Sequence, residues 1–192
     1  TKEMADAFVT EYKAMYESVK KYKGFYIGRY ELTGTVLILK SKVGTVLTNQ
    51  NWYNLKKACS NMISNQYAQS TMIYGCQWDE TMNWIISSGA KSSEQVIVNS
   101  SSWANYNITL GGTGQKQPTG SNEKWKVNNI YNLAGNCLEW TQEASPYSRL
   151  TRGYGYNFTG GGNHSASERF ISNHTTTSET DYFTSRPVLY IK

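Results

Sequence analysis

The stretch NIYNLAGNCLEW (129–140) decides how this chain is read. It is β-prone, and two further β-prone runs follow it, SRLTRGYGY (148–156) and RPVLYI (186–191). Upstream the signals are helical. Met4, Ala7, Phe8, Tyr12, Met15, Tyr16 and Val19 give residues 2–23 the spacing of an amphipathic helix, with Gly24 placed to stop it. FYIGRYELTGTVLILK (25–40) holds two β-prone runs around Thr33-Gly34, a hairpin or a pair of adjacent strands.

A second helix is predicted over 52–62, capped by Asn51, with Trp52, Leu55 and Cys59 on its inner face. A third follows Gly75, where Trp78, Met82, Ile85 and Ile86 repeat at helical spacing until Ser88-Gly89. Residues 92–129 are polar and turn-rich, interrupted by Trp103, Tyr106 and Trp125. So long an irregular stretch in a small domain reads as ordered loop, and ordered loops often carry function. The pattern as a whole is α+β and loop-rich, with helices early and strands late. It divides into an N-terminal helix (1–23), packing on or leading into the rest, and one domain (24–192).

Composition fits a packed domain. Only 39% of the 192 residues are hydrophobic, but 14% are aromatic, including 15 Tyr and 6 Trp, and rings bury more area than aliphatic side chains. Trp52, Trp78, Trp103 and Trp140 are therefore read as core and not as a sugar-stacking platform. The net charge of +5 comes from scattered lysines with no nucleic-acid signature, so a nucleic-acid partner is not expected. Nor is membrane insertion, since no apolar run is long enough to span a bilayer. Cys59, Cys76 and Cys137 are an odd number without metal-ligand spacing, and buried free thiols are expected, with a Cys59–Cys76 bridge as the alternative. The sequence begins inside a helical pattern, and more of the natural protein is expected to precede it.

Six ordered segments resemble the formylglycine-generating enzyme (sulfatase-modifying factor) family, whose fold is a C-type-lectin variant. Residues 25–31 (FYIGRYE) look like its opening strand, 51–59 (NWYNLKKAC) like its first helix, and 77–79 (QWD) like its "EAEWE" segment. Residues 130–140 (IYNLAGNCLEW) are close to "LYDMAGNVWEW"; 149–153 (RLTRG) and 185–186 (SR) stand for "RVLRGG" and "GFR". The resemblance covers 24–191 in outline and implies a C-type-lectin-like fold of the formylglycine-generating type.

The chemistry of those enzymes is not implied with it. They use two copper-binding cysteines just after the "RGG" segment, and residues 152–160 contain none. The related sulfoxide synthases need an iron-binding histidine cluster, and this chain has only His164 and His174. No catalytic residues, copper or iron are expected; an oxidase of either type is the alternative. The resemblance does imply a structural calcium ion, with the Asn132 side chain, the Gly135 and Cys137 carbonyls and the Glu139 carboxylate as ligands. The other reading of Glu139 is that it pairs with a base or caps backbone amides.

After Glu143 the composition changes. From 144 to 191 there is no Lys, Gln, Met or Trp. This resembles the variable proteins of diversity-generating retroelements, which use the same fold and diversify its C-terminal end by rewriting adenines, chiefly in AAC codons. Such codons yield Tyr, Phe, His, Asn, Ser, Thr, Asp, Gly or Ile; Glu168 and Glu179 would be fixed framework. The alternative is the ordinary Asn/Ser/Gly-rich loop of the family. The variable region is placed at 147–185. Its ligand-binding residues are expected to be Tyr154, Tyr156, Asn157, Phe158, Asn163, His164, Phe170, Asn173, His174, Thr176, Tyr182 and Phe183, exposed on one face as in antibody paratopes. Arg152, Arg169 and Arg186 are expected to hold the scaffold. The expected function is non-enzymatic binding of a protein or glycan ligand on a cell surface, from a phage tail or a bacterial surface. A calcium-dependent glycan-binding lectin is a further alternative.

Overall fold

A computed structural model describes residues 2–146, 148–159, 164–170 and 175–192. Helix α1 (Lys2–Tyr22) has Glu3 in its first turn and Lys20 and Lys21 in its last, each charge matched to the helix dipole. It ends one residue earlier than expected, because Lys23, and not Gly24, takes the left-handed conformation (φ 62°) and donates its N–H to Val19 O. Phe8, Met15 and Val19 dock α1 on Tyr74 and Tyr190. Polar contacts secure it: the Glu11 carboxylate accepts from Lys56 (2.8 Å), Tyr74 (3.0 Å) and the Thr71 hydroxyl.

The strand β1 (Tyr26–Ile27) does not pair with the run after it, as a hairpin over 25–40 would require. It pairs with the last strand of the chain instead. The hairpin is smaller: β2 (Thr33–Gly34) pairs with β3 (Leu39–Lys40), and the turn falls at residues 35–38, not at Thr33-Gly34. Helix α2 (Trp52–Met62) is capped by the Asn51 side chain, which accepts from Asn54 N at 2.9 Å, and it buries Trp52, Leu55, Ala58 and Cys59. After β4 (Ala68–Met72), helix α3 (Gly75–Ser87) buries Trp78, Met82 and Ile85, while Ile86 is only half-buried. Its first turn is tied by the Gln77 side chain, which accepts from Tyr74 N.

Residues 92–125 form turns and short helices that deliver Val96, Trp103, Tyr106 and Trp125 to the interior, so this stretch is mainly core-building. The strands follow: β5 (Lys126–Val127), β6 (Ile130–Tyr131), β7 (Leu138–Ala144), β8 (Arg149–Arg152), β9 (Phe183–Ser185) and β10 (Pro187–Ile191). β10 lies between β1 and β4, antiparallel to both. β7 lies between β8, antiparallel, and β9, parallel. One core cluster centres on Trp78, Trp103 and Tyr106; the second holds Trp52, Trp140 and Phe183. All four tryptophans read as core are buried. Among the described residues, no helix is long and apolar enough to cross a membrane.

Candidate functional site

β8 hands the chain to the C-terminal loops through Gly153 (φ 86°) and Tyr154 (φ 63°). A left-handed backbone costs a non-glycine residue about 1–2 kcal/mol. The ring environment of Tyr154 opposes that cost. Its ring lies 5.1 Å from Phe158, 5.2 Å from His164, 5.9 Å from Phe170 and 6.1 Å from Tyr106. Phe158 and Phe170 also meet edge to face at 5.0 Å. Contacts of this kind contribute about 0.5–1.5 kcal/mol each beyond area burial. Backbone bonds in both directions between Thr151 and Phe170 hold the far side of the cluster to β8.

The rings therefore pack on one another in place of standing out into solvent. Tyr154, Tyr156, Phe158, Phe170 and Tyr182 are all half-buried. Tyr156 donates its hydroxyl to Asp181 Oδ2 at 3.2 Å, and its N–H bonds to Asn136 O at 2.8 Å. Burial, with the Asp181 carboxylate beside it, pushes the Tyr156 phenol up to about 12. Two of the expected contact residues belong to the interior. Phe183 is 0% exposed in β9, 4.7 Å from the Trp140 ring, because β9 is buried along its whole length. His164 is buried between Tyr106 and Tyr154, and its carbonyl accepts from Ser100 N. Asn157 is exposed; Thr176 is half-buried, with its hydroxyl 3.4 Å from that of Tyr53. Asn163, Asn173 and His174 lie outside the described residues.

Sequence reasoning missed three partners of this region. Tyr106 closes the ring cluster from the 92–129 stretch, where an isolated aromatic among polar residues was the available signal. Asp181 ties Tyr156, and Tyr53 on α2 meets Thr176. Nothing in local sequence marks those two.

The residues expected to bind calcium do not fit a divalent cation. Both oxygens of Glu139 are taken by Arg186, whose Nε donates at 3.0 Å and Nη2 at 2.6 Å. The Asn132 side-chain Oδ1 accepts from the Thr119 hydroxyl at 3.1 Å. A guanidinium already neutralises the carboxylate, with both groups fully buried. The pairing reading of Glu139 is the one the geometry favours. Arg186 also donates to the Gly28 and Tyr131 carbonyls, which ties β10 to the chain after β1 and to β6.

A second buried carboxylate, Glu31, accepts from Asn136 Nδ2 (2.7 Å) and Cys137 N (3.1 Å). Burial and then the charge of Glu139 push its acid up to about 8, against the pull of Arg186 and Asn136. Gly135 makes this knot possible: its φ is 80°, and a Cβ there would meet Asn105 O at 2.4 Å.

The other two arginines also hold the frame. Fully buried Arg152 pairs with Asp79 (3.0 Å) and Glu143 (2.7 Å). Arg169 bridges the same two carboxylates. Burial raises the Glu143 acid, but Arg169 and Arg152 more than offset this and hold it below its ordinary value. Cys59 and Cys137 are buried free thiols. Cys76 is free too but exposed, near the Tyr12 hydroxyl at 3.9 Å, because it sits on the outer side of the first turn of α3. Among the described residues, no three His, Cys, Asp or Glu side chains gather as a metal site.

No protein-family description matches this chain, and no curated protein does. Solved structures do. Treponema denticola variable protein 1 superposes with a TM-score of 0.54 at 13% identity, over 81% of this chain and 74% of that one. CarF superposes with a TM-score of 0.58 at 16% identity, over 77% of this chain and 69% of that one. Both fall within the families that residues 130–140 and the C-terminal composition resemble. The chain thus shares the C-type-lectin-like fold of these two structures, one of them a variable protein.

Proposed function

We propose that this chain is a non-enzymatic binding domain whose C-terminal third recognises a protein or glycan ligand on a cell surface. The observation that carries this is the arrangement after β8. A floor of packed rings, Tyr154, Phe158 and Phe170, lies in the same loops as the exposed polar side chains Asn157, Thr159, Thr175, Thr177 and Asp181. Rigid rings supply contact area at low entropic cost, and small polar groups adapt to different ligands, the division of labour seen in paratopes. Within this reading Tyr154, Tyr156, Phe158, Phe170 and Tyr182 offer ring edges. Asn157, Thr176 and the Asn163, Asn173 and His174 positions supply polar contacts. His164 and Phe183 support from beneath.

The resemblance to retroelement variable proteins, and the variable protein among the fold neighbours, support the finer reading. In it, residues 147–185 are diversified and the domain sits on a phage tail or bacterial surface to select targets. Two measurements test these levels separately. The DNA beside the gene is expected to carry a reverse-transcriptase gene and a near-copy of the codons for 147–185, differing at adenines. If that near-copy is missing, diversification is wrong and the binding reading stands. For the binding reading, the purified chain is assayed for copper- or iron-dependent oxidation of thiol substrates. Turnover there would overturn it in favour of an oxidase.

A further inference from the structure

Between α1 and α2 lies a groove of about 760 Å3, within the size range of small-molecule sites. Its walls are largely apolar: Phe8 on α1, Trp52 and Tyr53 on α2, and Ala144 at the end of β7. At its floor the half-buried Arg149 guanidinium stacks between two rings, 4.7 Å from Trp52 and 5.4 Å from Phe8. Nη1 is anchored on Gln142 O at 2.7 Å. The groove contains one carboxylate, Glu11, against three cations, Lys56, Lys57 and Arg149. That carboxylate is committed to Lys56, Thr71 and Tyr74. Among the described residues, neither Arg149 nor Lys57 has a carboxylate within ion-pair distance. The other three arginines of the β7–β10 region, Arg152, Arg169 and Arg186, have such partners, which sets Arg149 apart.

A partly desolvated cation without a counter-charge, framed by rings, is a receptor for an anion that brings its own apolar surface. We infer that this groove binds a small amphiphilic carboxylate, with the acid group on Arg149 and Lys57 and an aromatic body against Phe8 and Tyr53. Tyr53 is 44% exposed, so its ring is free to be covered. The inference does not depend on the C-terminal loops binding anything.

The test is calorimetric titration of the whole chain with 1-naphthylacetate and with its neutral isostere 1-naphthylacetamide. The acid is expected to bind with a Kd of about 1 mM or tighter, and the amide at least about tenfold more weakly. Arg149→Gln should weaken the acid at least about tenfold. Because that change could disturb the Trp52 stack, Ala7→Trp on the exposed groove face of α1 gives an independent block and is expected to abolish acid binding. Lys13→Ala, elsewhere on the exposed surface of α1, should leave it unchanged. Equal binding of acid and amide would overturn the inference. So would undiminished acid binding in a folded Ala7→Trp variant, or the absence of acid binding to the unmodified chain.

Discussion

Two parts of the last third of this chain differ in what holds them. The frame, β7 to β10 with Glu31, Asn136, Glu139 and Arg186, is fixed by buried charges and directed hydrogen bonds. The loops after β8 are fixed by rings that lean on one another, chiefly Tyr154, Phe158 and Phe170. A charge network accepts one residue at each position, because a lost partner leaves a desolvated group behind. A half-buried ring cluster tolerates exchange of one apolar or small polar group for another at modest cost. A binding domain built this way can change its surface without rebuilding its support.

The severest way to break the frame is Arg186→Met. It strands the Glu139 carboxylate with both oxygens unpartnered, and removal of one member of a buried pair costs about 3–5 kcal/mol. Urea denaturation should show this as a lower midpoint with an unchanged slope. A loss under about 1 kcal/mol would mean that the pair is not what secures β10.

The pH dependence of the frame comes next. Glu31 is protonated when folded up to about pH 8, whereas an unfolded glutamate releases its proton near its ordinary value of 4.5. Between these values the folded state holds the extra proton, so stability is full below the lower value and falls as pH rises toward the upper one. The slope approaches about 1.4 kcal/mol per pH unit. Denaturation midpoints measured from pH 5 to 8 should decline, and Glu31→Gln should flatten the decline. An unflattened profile in that variant would place the proton elsewhere.

That knot also shows what sequence could reveal. The segment 129–140 pointed to the correct fold because a buried Asn136 and a glycine pressed against Asn105 O leave a local signature. Helices α2 and α3 were legible from apolar spacing, and the Asn51 cap from its side-chain type. The hairpin over 25–40 was not, because β1 pairs with β10 across most of the chain and local sequence carries no record of that partner. Glu139 stands out by residue type, yet the Arg186 that pairs with it is 47 residues away. At the site, residue types were legible but direction was not. Phe183 reads like its neighbour Tyr182, and only the start of the buried strand β9 at Phe183 separates core from rim.

Tyr154 joins the two regions, and its backbone gives a prediction of unusual sign. Alanine normally exceeds glycine in stability where φ is negative. At φ 63° the order reverses, since both variants lose the rings but only alanine keeps the left-handed strain. Tyr154→Ala should therefore be less stable than Tyr154→Gly by about 1 kcal/mol. Thermal unfolding of the two variants side by side measures this, and the opposite order would show that the backbone relaxes when the ring is removed.

The smallest effect on folding should come from the exposed polar residues, and that smallness is what the comparison requires. Asn157, Thr159 and Thr177 are exposed and take no part in the charge networks of the frame. Replacing each by alanine should change stability by no more than about 0.5 kcal/mol. Replacing each by tyrosine should be similarly tolerated, because an exposed side chain in these loops does not have to fit a closed interior. Chemical denaturation of the six variants tests this directly. Losses of 2 kcal/mol or more, roughly the scale of core substitutions, would mean that the loops are as rigidly specified as the frame. A face so specified could not be rewritten, and its ring-backed architecture would then need an explanation other than adaptable recognition.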